Sequence, residues 1–260
     1  MLDAIRCLGR VLRLGGRHTP DTRLPTVFHI THHKAGSQWV HRILHALAYD
    51  RLVPPEVECA QFLAKPVRAG AVYPTLYITH EQFTNVPLPP NWKRFVIIRD
   101  LRDTLVSLYF SLKHSHPLLT DRNRQRRAIL RELSVEDGLL YVTEHLLAGP
   151  AQVQWSWVAA GEKLIRYEDL LERDEEIFAE VLLRRCQLPV EPARFRQVIR
   201  ENRFQARSGR PPGQEDLDSH ERKGVAGDWK NHFTDRIAKS FKNYFGSLLI
   251  ATGYETGFDW

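Results

Sequence analysis

The chain has 260 residues, of which 43% are hydrophobic, and it carries a formal net charge of +6. A chain of this size buries a sizeable core and is commonly one domain, and six Trp, eight Tyr and twelve Phe residues exclude a disordered protein. The charge suits a small anionic ligand, a nucleic acid or an anionic membrane, or simply a basic surface. No familiar nucleic-acid-binding motif is present, so a nucleic acid partner is not expected.

The first 25 residues form a basic leader segment, ahead of a domain that we expect to span residues 26–260. Arg6, Arg10 and Arg13 interrupt the apolar run that a signal peptide needs. The chain nowhere approaches the ~20 consecutive apolar residues of a membrane span. We interpret the leader as a docked or frayed helix, and the alternative is an amphipathic helix that makes weak contact with a membrane surface.

The cysteines indicate a reducing compartment. Cys7, Cys59 and Cys186 are odd in number, widely separated and in no metal-ligand spacing. We interpret them as free thiols, which are typical of a cytoplasmic protein. Neither a zinc site nor any other metal is expected.

The predicted elements alternate between strands and helices. A β-branched, apolar strand at 26–31 is followed by a glycine-containing turn and an amphipathic helix. The further predicted strands are 76–79, 95–98 and 163–167, and the predicted helices are 37–49, 103–111, 174–187 and 237–252. This order predicts a single three-layer α/β domain in which helices flank a central parallel sheet.

The turn His33-Lys34-Ala35-Gly36-Ser37 joins the first strand to the first helix. Backbone N–H groups in such a turn point at one spot, and the helix N-terminus adds partial positive charge, so the turn suits a phosphate. Lys34 adds an ammonium group, and Ser37 is expected to cap the helix. Because the lysine precedes the glycine, the turn differs from the loop that binds nucleoside triphosphates.

Two further cationic clusters follow along the chain. Arg99 comes directly after the third strand, where open parallel sheets bind ligands, and Ser107 lies two helical turns later. Arg222, Lys223 and Gly224 form the third cluster, near the end of the chain. Each cluster alone is also compatible with a surface ion-pair network. Three of them in this order indicate a phosphate site.

These residues resemble the motifs of sulfotransferases that use 3′-phosphoadenosine-5′-phosphosulfate (PAPS). The segment from Lys34 to Trp39 is similar to the 5′-phosphosulfate loop of that family, and Arg166-Tyr167-Glu168-Asp169-Leu170 is similar to a second signature. The third signature resembles the run from Arg222 to Lys230. The resemblance extends from about Thr26 to Trp260, and it implies a P-loop nucleotide-hydrolase-like fold with PAPS as donor and no metal.

The resemblance also implies residue roles. Lys34 would hold the 5′-phosphosulfate with the loop backbone and neutralise the leaving oxygen, and Ser107 would serve both binding and catalysis. The implied 5′-phosphosulfate contacts are Lys34, Ala35, Gly36, Ser37 and Gln38. The implied adenine contacts are Trp39, Tyr167 and Phe204. The implied 3′-phosphate contacts are Arg99, Ser107, Arg222, Lys223 and Gly224.

The acceptor must lose a proton, so a general base is expected beside it. Ile78-Thr79-His80 resembles the strand end that supplies a histidine base in many small-molecule enzymes of the family. Glu81 is the neighbouring alternative. Because consecutive strand residues point to opposite sides, only one of the two is expected to face the acceptor, and we predict His80.

The acceptor itself is expected to be a small molecule, a lipid or a carbohydrate with a hydroxyl or amine group. Its pocket is predicted to come from residues 53–72 and 114–157. A partly aromatic wall would include Phe62, Tyr109, Phe110, Trp155 and Trp157, although core packing explains these residues equally well.

Two other functions remain compatible with the sequence. A P-loop kinase would need a magnesium-binding serine after Gly-Lys, and a non-catalytic module would bind the desulfated nucleotide (PAP) without transfer. The dimerisation motif of the family is altered here, where Asp235 replaces an apolar residue and Lys239 replaces a glutamate. The oligomeric state is therefore not predicted.

Overall fold

The structure is a computed structural model that describes residues 22–55 and 61–260. Within these residues four parallel strands form one sheet: β1 (Thr26–Ile30), β2 (Val72–Leu76), β3 (Trp92–Ile98) and β4 (Leu164–Arg166). The strand order is β2-β1-β3-β4. β1 and β2 are buried along their whole length, as parallel strands with two covered faces should be.

Helices connect these strands and pack on both faces of the sheet. Their bounds are α1 (Ser37–Ala48), α2 (Gln61–Ala64), α3 (His80–Thr84), α4 (Leu101–Phe110), α5 (Asp121–Glu132), α6 (Val135–His145), α7 (Ala148–Ala159), α8 (Tyr167–Phe178), α9 (Pro192–Glu201), α10 (Phe204–Ser208) and α11 (Asp235–Ala251). π-Helical turns extend α4 through Ser111–Ser115 and α8 through Ala179–Arg185.

The alternation of side chains along the strands produces two apolar layers. Val27 and Phe95 point to the face that packs against α1, α8 and α9. Phe28 and Val96, which are the next residues in the same strands, point to the face that packs against α2, α3 and α7. A third apolar cluster joins α4, α6 and α11 beside the sheet. The predicted α/β domain with a parallel sheet between helices is confirmed.

The second predicted strand was misplaced. It was expected at 76–79, whereas β2 occupies Val72–Leu76. The cause is Thr79, whose hydroxyl accepts a hydrogen bond from the backbone N–H of Gln82 while the Gln82 side chain accepts one from the N–H of Thr79. This capping box starts α3, so the chain after Leu76 leaves the sheet instead of extending it.

Other boundaries also differ from the predictions. α4 begins at Leu101 because the Asp100 carboxylate accepts a hydrogen bond from the N–H of Arg102. α8 begins at Tyr167, directly after β4, rather than at residue 174. The helices α5, α6 and α7 were not predicted individually.

The leader lies outside the described residues up to residue 21, so its predicted helix and membrane contact remain predictions. In the described part of the chain, no helix has the length and apolar character to cross a membrane. Cys186 is buried and forms no disulfide. Cys7 and Cys59 fall outside the described ranges.

Candidate active site

A cavity of about 1350 Å³ lies at the carboxyl ends of the strands. Its position beside β1 and β3 is where the strand order changes direction, which is the usual ligand site of open parallel sheets. Residues from all three cationic clusters line it. The predicted site residues on its wall are Lys34, Gly36, Ser37, Gln38, Trp39, Glu81, Arg99, Ser107, Tyr167, Phe204, Arg222, Lys223 and Gly224. Ala35 is buried behind the wall.

The turn between β1 and α1, residues 31–36, is named the lysine loop. Lys34 and Gly36 both have positive φ, 68° and 80°, so the backbone turns sharply before α1 begins. A Cβ on Gly36 would lie 2.9 Å from the Tyr167 ring, so only glycine fits. Gly36 is the N-cap and supplies no side-chain hydrogen bond, which leaves the first N–H groups of α1 for an anion.

Ser37 does not cap α1 as predicted. It is the first residue of the helix, and its hydroxyl shares a hydrogen bond of 2.8 Å with the hydroxyl of Tyr77. Both residues line the cavity. The hydroxyl of Ser37 is therefore held at the cavity wall, beside the N-terminus of α1.

Arg99 links the three clusters. Its guanidinium donates hydrogen bonds to the carbonyl oxygen of Lys34 at 3.1 Å and to that of Val225 at 3.2 Å. It also lies 4.7 Å from the centre of the Tyr167 ring. The Arg99 side chain, directly after β3, therefore contacts the lysine loop, the Tyr167 ring of the second signature and the segment that contains Val225.

The segment 219–233, named the C-terminal loop, is anchored by two buried carboxylates. Asp103 accepts hydrogen bonds from the N–H groups of Gly227 at 2.6 Å and Trp229 at 2.9 Å. Asp228 pairs with Arg222 and with the Lys223 ammonium, the latter at 2.5 Å. Burial alone would raise the pKa of Asp228, but these hydrogen bonds hold that pKa well below its ordinary value. Both cations are therefore fixed at the cavity wall.

Aromatic rings line another part of the cavity. Trp39 meets Tyr167 edge to face, with ring centres 6.2 Å apart. Gly224 packs directly on Phe204, because a Cβ at position 224 would lie 2.4 Å from that ring. Flat apolar faces beside cations suit a nucleotide base.

The cations of this site repel one another. Burial and the nearby charges of Arg99 and Arg222 lower the pKa of the Lys34 ammonium to about 8. The pKa of His220 falls to about 4, chiefly because of the charge on Lys34. A bound polyanion would remove this repulsion, so the electrostatics suit a ligand with several negative charges.

The two candidate bases lie on different surfaces. Glu81 and Thr79 belong to the cavity wall, and His80 does not. The His80 ring packs edge to face on Trp157 at 5.0 Å, and its backbone N–H donates to the Ser156 hydroxyl. The role of either residue remains a prediction, but His80 does not line this cavity. Residues 80–84 form α3, so the strand alternation on which the prediction of His80 depended does not apply.

The sequence did not predict a buried hydrogen-bond network behind the lysine loop. The Gln154 amide donates to His32 Nε2 at 2.8 Å and to the carbonyl oxygen of Arg99 at 2.7 Å. Burial lowers the pKa of His32 to about 3, so its ring is neutral at physiological pH and accepts this bond. These hydrogen bonds hold the end of β3 against the lysine loop. The sequence feature that pointed to them is a histidine directly after the predicted strand 26–31.

The two segments predicted to form the acceptor pocket differ in position. Several residues of 114–157 line the cavity, from His116 to Val153, but no described residue of 53–72 does. None of the five aromatic residues considered for its wall lines the cavity: Phe62, Tyr109 and Trp157 are core residues, Phe110 packs against Arg222, and Trp155 is exposed. Wall residues that the sequence analysis missed include Tyr77, Asn85, His116, Arg122, Arg126 and Gln152. Within 22–55 and 61–260, no three His, Cys, Asp or Glu side chains are grouped as metal ligands.

Comparisons with known proteins identify the family and the fold of the chain. A family model described as the sulfotransferase domain matches residues 24–253. Among solved structures, mouse sulfotransferase SULT7A1 complexed with PAP has a TM-score of 0.58 at 16% identity, over 92% of this chain and 90% of that one. Retinol dehydratase in complex with retinol and PAP has a TM-score of 0.49 at 14% identity, over 89% and 82%. No curated protein sequence matches the chain significantly.

Proposed function

Because the chain belongs to the sulfotransferase domain family, we propose that it transfers a sulfuryl group from PAPS to a hydroxyl or amine of an acceptor. The observation that carries the proposal is the convergence of three cationic segments, far apart in sequence, on one cavity. PAPS carries phosphate groups at both its 3′ and 5′ positions, so it needs cations at two places. The SULT7A1 structure, which has the same fold, contains PAP.

In this proposal each cluster binds one part of the donor. Lys34 and the N–H groups of Gly36, Ser37 and Gln38 bind the 5′-phosphosulfate. Arg99, Ser107, Arg222, Lys223 and Gly224 bind the 3′-phosphate. Trp39, Tyr167 and Phe204 contact the adenine, and the buried Ala35 shapes the loop.

The chemistry is an in-line displacement at sulfur. The acceptor oxygen forms a bond to sulfur as the bond between sulfur and the 5′-phosphate oxygen breaks, and PAP leaves with the electron pair. The Lys34 ammonium stabilises the charge that develops on that leaving oxygen, in a partly buried site where such contacts are strong. As in phosphoryl transfer, positioning and electrostatics supply most of the catalysis.

The acceptor proton needs a base on the cavity wall, and we assign this role to Glu81. Its carboxylate forms no ion pair or hydrogen bond with any side chain in the described part of the chain, and it belongs to the wall that His80 does not reach. His80 remains the competing assignment. The acceptor is a small molecule, a lipid or a carbohydrate, and we place the reaction in the cytoplasm because Cys186 is a free thiol.

The proposal is tested by comparing PAP with adenosine 5′-monophosphate (AMP), which lacks only the 3′-phosphate. We expect PAP to bind about 100-fold more tightly by titration calorimetry, since the 3′-phosphate gains several charge-assisted hydrogen bonds. Lys223→Met should weaken PAP binding about tenfold and leave AMP binding unchanged. Lys242→Met, which removes the same charge from α11, is the matched control.

Equal binding of PAP and AMP would contradict the proposed donor. Tighter binding of ATP with magnesium than of PAP would instead support the kinase reading. A non-catalytic PAP-binding module would pass this binding test and is separated from the enzyme only by turnover.

A further inference from the structure

Two arginines on α5 face the cavity without a partner. Arg122 and Arg126 are four residues apart, so they lie on the same side of the helix, and both belong to the cavity wall. Neither guanidinium forms an ion pair or hydrogen bond with any residue in 22–55 or 61–260. Arg126 is partly buried.

Several other arginines of this region have partners. On α5 itself, Arg124 pairs with Asp121, and Arg127 donates to the carbonyl oxygens of Leu112 and His116. At the donor end of the cavity, Arg222 and Lys223 share Asp228. Arg42, on another part of the wall, pairs with Glu221. On α5, Arg124 and Arg127 thus have partners in the described part of the chain, and Arg122, Arg126 and Arg131 do not; of these three, only Arg122 and Arg126 line the cavity.

This arrangement is unfavourable in the unliganded protein. Like charges four residues apart repel on a helix, and burial together with the charge on Arg122 lowers the pKa of Arg126. The carboxylates of the described cavity wall are Glu81 and Glu221, and Glu221 pairs with Arg42. A ligand with a negative charge would relieve the repulsion between Arg122 and Arg126.

The rest of the cavity wall combines polar and apolar side chains. Carboxamide side chains from Asn85, Asn123 and Gln152 share it with His116 and Tyr77, and apolar residues such as Leu119 also contribute. The carboxamides supply hydrogen-bonding groups for the hydroxyls of an acceptor. A second hollow of about 370 Å³ lies on the other side of Arg122 and Arg126 and has room for a longer acceptor.

We propose that the acceptor is a hydroxylated anion, such as an acidic saccharide, whose carboxylate, sulfate or phosphate group binds Arg122 and Arg126 while its reacting hydroxyl lies near Lys34. This inference rests on the proposed sulfotransferase function and names the substrate class of the same cavity. Planar guanidinium groups bind such anions with two parallel hydrogen bonds. Lys34, Arg122 and Arg126 all line the same cavity, so one acceptor molecule can contact both ends.

The test uses acceptor pairs that differ only in charge, with sulfur-labelled PAPS as donor. One pair is p-nitrophenyl β-glucuronide and p-nitrophenyl β-glucoside, and the other is 4-hydroxyphenylacetate and its methyl ester. We expect kcat/KM for the acid to exceed that for its neutral partner about tenfold or more in at least one pair. The double variant R122Q/R126Q should lose this preference, mainly through a higher KM.

The variant R124Q/R131Q is the matched control, because it removes the same charge from α5 at positions outside the cavity wall. It should keep the preference for the acid. Equal or better use of the neutral partners, use of no acid although PAP binds, or a preference that survives in R122Q/R126Q would each overturn the inference. Failure of the wild-type protein to bind PAP would mark the failure of the proposed function instead.

Discussion

Thr79 determines which of two neighbouring side chains faces the cavity. Its hydroxyl accepts a hydrogen bond from the backbone N–H of Gln82, which caps the N-terminus of α3. As a result Glu81 belongs to the cavity wall, and the ring of His80 packs against Trp157. The sequence motif drew attention to His80 and Glu81 as candidate bases. It did not predict the capping box at Thr79, which begins a helix where a strand end was expected. Glu81, and not His80, therefore lines the cavity.

The base assignment predicts opposite effects for two similar substitutions. Glu81→Gln removes a proton acceptor with little change of shape, so turnover should fall about 100-fold. His80→Gln should reduce turnover by no more than a few-fold, because this side chain lies outside the cavity wall. PAP binding by both variants is the control, and it should match the wild type. An inactive His80→Gln variant beside an active Glu81→Gln variant would restore the histidine as base.

At the scale of elements, the turn between β1 and α1 supplies the backbone of the proposed donor site. Gly36 allows this turn in two ways: it adopts a φ of 80°, and it leaves room for the Tyr167 ring at the start of α8. β1, α1 and β3 were predictable because long buried strands and an amphipathic helix leave a clear apolar pattern. The proposed acceptor side was not, because α5, α7 and the loops beside them build this part of the cavity wall through tertiary packing.

Gly36→Ala should therefore damage the donor site more than its backbone strain alone explains. A left-handed residue other than glycine costs about 1–2 kcal/mol, and the new methyl group would also displace the Tyr167 ring. We expect PAP affinity to fall at least tenfold, with a loss of stability of about 2 kcal/mol or more. Gly161→Ala is the matched control: its φ is 69° and nothing lies within 4 Å of the added Cβ.

Calorimetry and thermal unfolding compare the two glycine variants. Gly161→Ala should show the backbone penalty alone and bind PAP normally, since this turn lies between α7 and β4. Equal effects of the two substitutions on PAP affinity would show that the contact between Gly36 and Tyr167 does not shape the donor site.

At the scale of the whole molecule, the fold brings together groups that the sequence separates. Asp103 on α4 holds the N–H groups of Gly227 and Trp229, and so docks the C-terminal loop beside the lysine loop. The motifs predicted residues that line one cavity, and the resemblance to sulfotransferases is confirmed over residues 24–253. The remaining cavity wall, where we propose that the acceptor binds, has no comparable motif because it combines side chains from several helices and loops.

The central claim is catalysis, and the most direct measurement is the transfer of labelled sulfur from PAPS. The protein is incubated with sulfur-labelled PAPS and a panel of phenols, steroids, sugars, lipids and their acidic derivatives, and labelled products are separated from PAPS. We predict transfer to at least one hydroxylated acceptor, with release of one PAP for each label transferred and loss of transfer in Lys34→Ala. PAP binding without transfer to any acceptor would contradict the claim and identify the chain as a nucleotide-binding module.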